Sequence, residues 1–263
     1  MNPQGLNRTE VEKHFGKGRL FAYPSQPYIQ SAFGFFLLTH NEPEILAEEC
    51  RSNMSLYVLK LGGSLLPVAR NLIGALFSLA EEGYSFLVVP GGGPMADLIR
   101  ELFARHRISE EAAHWMAILA MEQYAYFLAD GTCAELSREI RPPSAGNCVA
   151  ILLPYQTLLQ DDAGIEHSWD YTSDAVALIA ALGLKAQLIK ATNVDGIFLG
   201  GKVSEEVPAS TLLGMESCVD QGTLRLLVNS PEDASIWVLN GSDPERFISA
   251  LKEARGGTVI RCR

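Results

Sequence analysis

Two rhythms of apolar residues run along the chain after position 54. Short apolar runs at 56–61, 86–90, 148–153, 186–191 and 236–239 are too short for helices and predict strands buried on both faces. Between them, apolar residues recur every three to four positions and predict helices over 68–82, 173–182 and 244–254, with a closing strand at 257–261. Pro94 suits a first helical turn. Ser109 suits an N-cap, with Glu110 and Glu111 in the positive first turn and Gly131 as the stop of that helix. Strands alternating with helices imply an α/β domain with a mainly parallel sheet covered on both faces.

Residues 1–53 do not share this pattern. They mix Pro, Gly, Asn and Gln with one apolar patch and an acidic stretch, and read as an N-terminal extension to a domain spanning 54–263. The apolar run at 32–38 is too short to cross a bilayer and lies behind a mostly polar stretch, so neither a membrane span nor a signal peptide is expected. The five cysteines are scattered with no CxxC pair, which argues against a disulfide framework or a zinc site. A reduced, cytoplasmic location is expected. A formal charge of -10 argues against a nucleic-acid partner, because phosphate backbones need a basic surface. It leaves room for a small anion in one local basic pocket.

Four segments carry chemistry. Lys60-Leu61-Gly62-Gly63-Ser64 ends the first strand, where glycine amides approach a phosphate and a lysine neutralises its charge. Pro90-Gly91-Gly92-Gly93-Pro94 ends the second strand. Both turns fall at the carboxyl edge of a parallel sheet, where such sheets bind ligands. Ser168-Trp169-Asp170-Tyr171-Thr172-Ser173-Asp174 leads into an alanine-rich helix, with Thr172 or Ser173 as its cap. Asp174 there either complements the helix dipole or orients a lysine or a magnesium-bound phosphate, and Asp170 suits the same purpose. Lys190-Ala191-Thr192-Asn193-Val194-Asp195-Gly196 follows from the strand at 186–191; its Asp-Gly pair alone is an ordinary turn. Neither glycine turn reads GxGxxG, which disfavours a dinucleotide site.

In this order the four segments resemble the amino acid kinase family, together with Trp237-Val238-Leu239-Asn240-Gly241 and Gly257-Thr258-Val259-Ile260. The resemblance runs from about Leu56 to Ile260. It implies an αβα sandwich with the phosphoryl acceptor in the N-terminal half, ATP and Mg²⁺ in the C-terminal half, and no metal held by protein ligands alone. It implies Lys60 and Asp174 as catalytic, and Gly62, Gly63, Ser64, Lys190, Thr192, Asn193, Asp195 and Gly196 on the ATP side. Gly91, Gly92, Gly93, His114 and Asp170 are expected on the acceptor side. The 113–121 helix start, the triple-glycine turn and the Trp-Asp-x-Thr-Ser-Asp segment look most like the methanofuran-biosynthesis kinases, which make a diphosphate from an (aminomethyl)furan methyl phosphate. One departure stands out: 218–225, where many members carry a second lysine, has none, leaving Arg225, Lys190 or magnesium to supply that charge.

Residues 115–129 carry a single charged side chain, Glu122, and predict a helix buried in the core or between copies of the chain, hence a homo-oligomer. The sequence therefore reads as an ATP-dependent kinase of a small, phosphorylated metabolite. A kinase of the same fold for another carboxylate or phosphate acceptor, and a non-catalytic nucleotide- or oxyanion-binding protein, are its rivals.

Overall fold

The computed structural model describes residues 54–231 and 233–263; the extension expected at 1–53 lies outside them. Strand β1 (Ser55–Leu61) is central, with β2 (Tyr84–Pro90) on one side and β5 (Gln187–Thr192) on the other. Beyond β2 come β4 (Val149–Leu152) and β3 (Glu135–Ser137), all parallel. Beyond β5 lies parallel β9 (Ser235–Asn240), followed by antiparallel β10 (Thr258–Arg261) and β8 (Glu206–Pro208), which is parallel to β10. The order is thus β3-β4-β2-β1-β5-β9-β10-β8, and a small hairpin, β6 (Phe198–Leu199) with β7 (Lys202–Val203), stands apart.

Alternation along the strands assigns each side chain to a layer. Leu59, Leu61, Val88, Ile189 and Leu239 face one layer, which contains α1 (Ala69–Leu76) and α8 (Pro244–Glu253). Val58, Val89, Leu188 and Val238 face the other, which contains α5 (Ser173–Leu184) and α7 (Gln221–Val228). Lys60 and Lys190 have the parity of this second set, so they point toward α5. The periodic segment 68–82 is a shorter α-helix than expected, closing in a 3₁₀ stretch, Phe77–Glu82.

Helix α2 (Gly93–His106) rises directly from the triple-glycine turn, with Pro94 in its first turn. Helix α3 (Glu110–Ala129) begins as expected: the Ser109 hydroxyl accepts from Ala112 N, with Glu110 and Glu111 in the first turn. Its apolar composition has a packing reason, because Ile118 and Met121 enter one core layer while Tyr124, Ala125 and Leu128 enter the other. Glu122, its one interior charge, accepts from Tyr155 N at 3.0 Å and so satisfies the start of α4 (Tyr155–Gln160). The short α6 (Ala209–Leu212) completes the helices. Among the described residues no helix is long and apolar enough to cross a membrane.

Candidate active site

The winding of the sheet reverses at β1, since the chain continues through β2 on one side and β5 on the other. That switch point opens a crevice at the carboxyl ends of the strands. Gly62 N donates to Ala191 O at 3.3 Å and Gly91 N donates to Leu61 O at 2.8 Å, tying both glycine turns to this edge. The turns touch backbone to backbone: a Cβ on Gly63 would lie 2.5 Å from Gly93 Cα, and Gly93 itself has φ +53°. A side chain at Gly63 would force the two turns apart. They form the floor of a cleft of about 420 Å³. Lys60, Gly63, Ser64 and Gly91–Gly93 line it from below; Ala96, Asp97 and Arg100 of α2 and Ala113, His114 and Ala117 of α3 form one wall. Ser168, Trp169, Tyr171, Thr172 and Ser173 form the other.

Beneath the floor lies a buried charge cluster. Lys60 and Lys190 are register partners on adjacent strands and are 8% and 5% exposed. Asp174, in the first turn of α5 and 5% exposed, joins both: Oδ1 lies 2.8 Å from Lys60 Nζ, and Oδ2 accepts a short hydrogen bond from Lys190 Nζ. Burial disfavours the charged form of all three, yet the two ammonium groups overcome it at Asp174 and hold its carboxyl far below the usual range. Burial likewise pulls Lys60 down, but Asp174, with help from Asp220, leaves it above the usual lysine range. Lys190, with Lys60 beside it, stays below that range because burial prevails.

A second carboxylate supports the first. Asp220 caps α7, its Oδ1 accepting from Thr223 N at 2.6 Å. Its Oδ2 accepts from Thr172 N at 3.2 Å and Thr172 Oγ1 at 2.6 Å, while Asp220 N donates to Asp174 Oδ2 at 3.4 Å. Thr172 is the N-cap residue of α5, but its side chain is spent on Asp220 rather than on the helix. Burial, then the Asp174 charge, raises the Asp220 carboxyl.

The remaining expected residues separate into two groups. Gly62 sits over the β5 end, its Cβ position 3.7 Å from Lys60 Nζ. Thr192 is buried at the end of β5, whereas Asn193 and Asp195 are exposed and Asp195 accepts from Asn240 Nδ2 at 2.8 Å. Gly196 lines a separate hollow of about 180 Å³ with Phe198, Leu199, Met215 and Cys218. These residues therefore stand on the β5 side of Lys60, outside the cleft. Asp170 lies outside it too: its carboxylate pairs with Arg225 at 2.7 Å. That contact also occupies Arg225, which lies over the Tyr171 ring, so of the two side chains considered for the missing lysine charge only Lys190 stands beside Lys60.

His114 lines the cleft, its ring stacked 3.8 Å from that of His167, and its buried Nε2 has no hydrogen-bond partner. Burial first, and then the neighbouring His167 charge, lower its pKa. Three side chains here escaped the sequence reading. Arg100 brings a cation to the cleft and lies 4.9 Å over the Trp169 ring; only its place on the helix after the glycine turn hints at this. Asp220 reads as an ordinary cap. His167 sits in an irregular acidic stretch with no local signal.

Comparison with known proteins identifies the family and the fold. Residues 55–226 match the model of the amino acid kinase family. The chain is 37% identical over 209 residues to the [5-(aminomethyl)furan-3-yl]methyl phosphate kinase of Methanocaldococcus jannaschii, covering 75% of this chain and 93% of that protein. The fold is similar to that of uridylate kinase from Archaeoglobus fulgidus, with a TM-score of 0.59, 23% identity and coverage of 78% of this chain and 99% of that one. UMP kinase from Bacillus anthracis gives a TM-score of 0.58 at 15% identity, covering 79% and 96%. With two glycine turns meeting over a buried lysine pair at the switch point of an αβα sheet, the chain belongs to the amino acid kinase family.

Proposed function

We propose that this protein is an ATP-dependent phosphotransferase that adds a phosphoryl group to a small phosphate ester, of the (aminomethyl)furan methyl phosphate type used by the methanogen relative. The observation that carries the reading is the Lys60–Asp174–Lys190 cluster directly under the two glycine turns. Two cations converge on one carboxylate, placing two ammonium groups where two anionic phosphates would meet. A phosphate acceptor is already largely ionised near neutral pH, its second pKa being about 6. Its oxygen attacks the γ-phosphorus, the bond to the β,γ-bridging oxygen breaks, ADP leaves and no general base is required. Lys60 and Lys190 neutralise the transferring group, Asp174 fixes both ammonium groups, and the backbone of Gly62, Gly63 and Gly91–Gly93 approaches the phosphates. Lys190 supplies the charge absent from 218–225.

The nucleotide fits the β5 side, where Thr192, Asn193, Asp195 and Gly196 stand. Among the described residues no group of three or more His, Cys, Asp or Glu side chains is placed to hold a metal. Mg²⁺ carried mainly by the triphosphate would offset phosphate charge there. The exposed apolar face of α3 suits a second copy of the chain. The test is mass spectrometry of ATP reactions with [5-(aminomethyl)furan-3-yl]methyl phosphate, UMP and a carboxylate acceptor. ADP and the furan diphosphate are expected; turnover only with UMP or the carboxylate would overturn the acceptor assignment.

A further inference from the structure

Residues 161–172 connect α4 to α5 without regular secondary structure, and Ser168, Trp169, Tyr171 and Thr172 of this connection line the cleft. Side-chain moorings, together with the backbone bond from Gly222 N to Asp170 O, therefore set its path. At the α5 end these are the Asp220–Thr172 bonds and the Asp170–Arg225 pair. In the middle, Trp169 packs on Arg100 and edge-on to Phe103.

The mooring at the other end is His167. Its Nδ1 makes a short contact with Glu111 Oε2, and its Nε2 lies 3.0 Å from Asp162 Oδ2. A carboxylate at each ring nitrogen is satisfied only by the imidazolium, the one form with two N–H donors. Glu111 is itself oriented, because Trp115 Nε1 donates to its Oε1 at 2.6 Å. The His167 ring lies flat on that of His114, and Trp115 stands edge-on to both. A cation thus sits one layer behind a histidine of the cleft wall.

We propose that His167 is a positioning residue for the phosphoryl acceptor: bridging Glu111 and Asp162, it latches the 161–172 connection to the start of α3 and so sets His114, Ser168 and Trp169 in the cleft. The latch rests on the reading above in taking this cleft as the acceptor side. The nucleotide side, with Thr192, Asn193, Asp195 and Gly196, stands beyond β5 outside this cleft, so loss of the latch weakens acceptor binding and leaves ATP binding intact. The charged and titratable groups facing His167 are Glu111 and His114 from α3 and Asp162 from its own connection. The Glu111 hydrogen bond is the largest influence and raises its pKa, burial opposes it, and Asp162 adds to the rise, so the net direction is upward. A raised histidine pKa means that the latch is fully formed below the ordinary value of about 6.5 and is lost as pH climbs through the folded-state value. Acceptor KM therefore increases on the alkaline side.

The experiment measures acceptor and ATP KM from about pH 6 to 9, with [5-(aminomethyl)furan-3-yl]methyl phosphate as the acceptor, for wild type and His167→Gln. In the variant, acceptor KM at low pH is expected to rise about tenfold, the scale of one lost charge-assisted contact. ATP KM and kcat should stay within about twofold, and the alkaline rise seen in wild type should vanish. An unchanged acceptor KM, or an equal rise in both KM values, would overturn the latch. The His167 ring is also followed by NMR titration of the substrate-free wild type. A midpoint above the ordinary histidine value is expected, and one at or below it overturns the latch whatever the variant does. Failure of the furan phosphate as a wild-type substrate counts against the acceptor assignment alone, because the titration requires no substrate.

Discussion

At the residue scale, the buried cluster distinguishes catalytic loss from structural loss. In Lys60→Met, Asp174 keeps Lys190 as its partner, so the fold should hold while a cation over the transferring phosphoryl group disappears. A fall in kcat of about 10²–10³ is expected, with little change in Tm, as for loss of one preorganised charge stabiliser. Asp174→Asn instead leaves two buried ammonium groups facing each other with only Asp220 nearby as a counter-charge, and should destabilise the protein by about 3–5 kcal/mol. The pH dependence has a definite sign. Because the folded Asp174 pKa is depressed, its contribution is fully present above the unfolded value of about 3.9 and is lost as pH falls through the folded value. Urea denaturation should show a constant gap between wild type and Asp174→Asn at neutral pH that narrows only in strong acid. A gap that widens on acidification would contradict the assigned ion pairs. Lys60, the glycines and Asp174 were legible because each sits at a strand end or helix start, where local pattern and chemistry coincide. Arg100 and His167 were not: their roles arise from contacts with Trp169 and Glu111, far away in sequence.

At the element scale, the contact between α7 and the 161–172 connection was the least readable part of the site. Fully buried strands and the longer helices stood out from periodicity, whereas β3, β8 and α4 are too short to show a period, and α7 was missed although Asp220 caps it. Gly222, in the first turn of α7, explains why this contact is close. Its N donates to Asp170 O at 2.7 Å, and a Cβ would lie 2.4 Å from that oxygen and 2.5 Å from the Tyr171 ring. No flexible side-chain end can yield there, so Gly222→Ala must push α7 away from the connection or displace Tyr171. A stability loss of about 1–3 kcal/mol is expected, typical of overpacking, together with a higher acceptor KM. Thermal unfolding and acceptor titration check both, and a wild-type Tm would show that this contact does not set the path of the connection.

At the scale of the whole molecule, the parallel centre of the sheet follows from alternating strands and helices, but the reversed β10–β8 edge does not, since pairing direction leaves no mark on such short strands. The same limit applied to α3. A helix apolar all round is compatible with burial in the core or against another copy, and the structure shows that the core accounts for only part of it. Leu119, Tyr126 and Phe127 remain 41%, 47% and 40% exposed, and Leu98 on neighbouring α2 is 56% exposed. Positions 119 and 126 are seven apart and so share one face, where exposed Gln123 lies between them and divides the strip into apolar patches. Covering that strip with the same strip of a second copy forms a two-fold contact without disturbing the cleft, whose residues lie on the opposite flank of α3 at His114 and Ala117. Leu119→Glu combined with Tyr126→Glu places like charges across such a contact. Sedimentation should then show a fall to the monomer mass, with the circular dichroism of the wild type retained. A wild-type chain that already sediments as a monomer at micromolar concentration would remove the oligomer from the picture and leave the strip needing another partner.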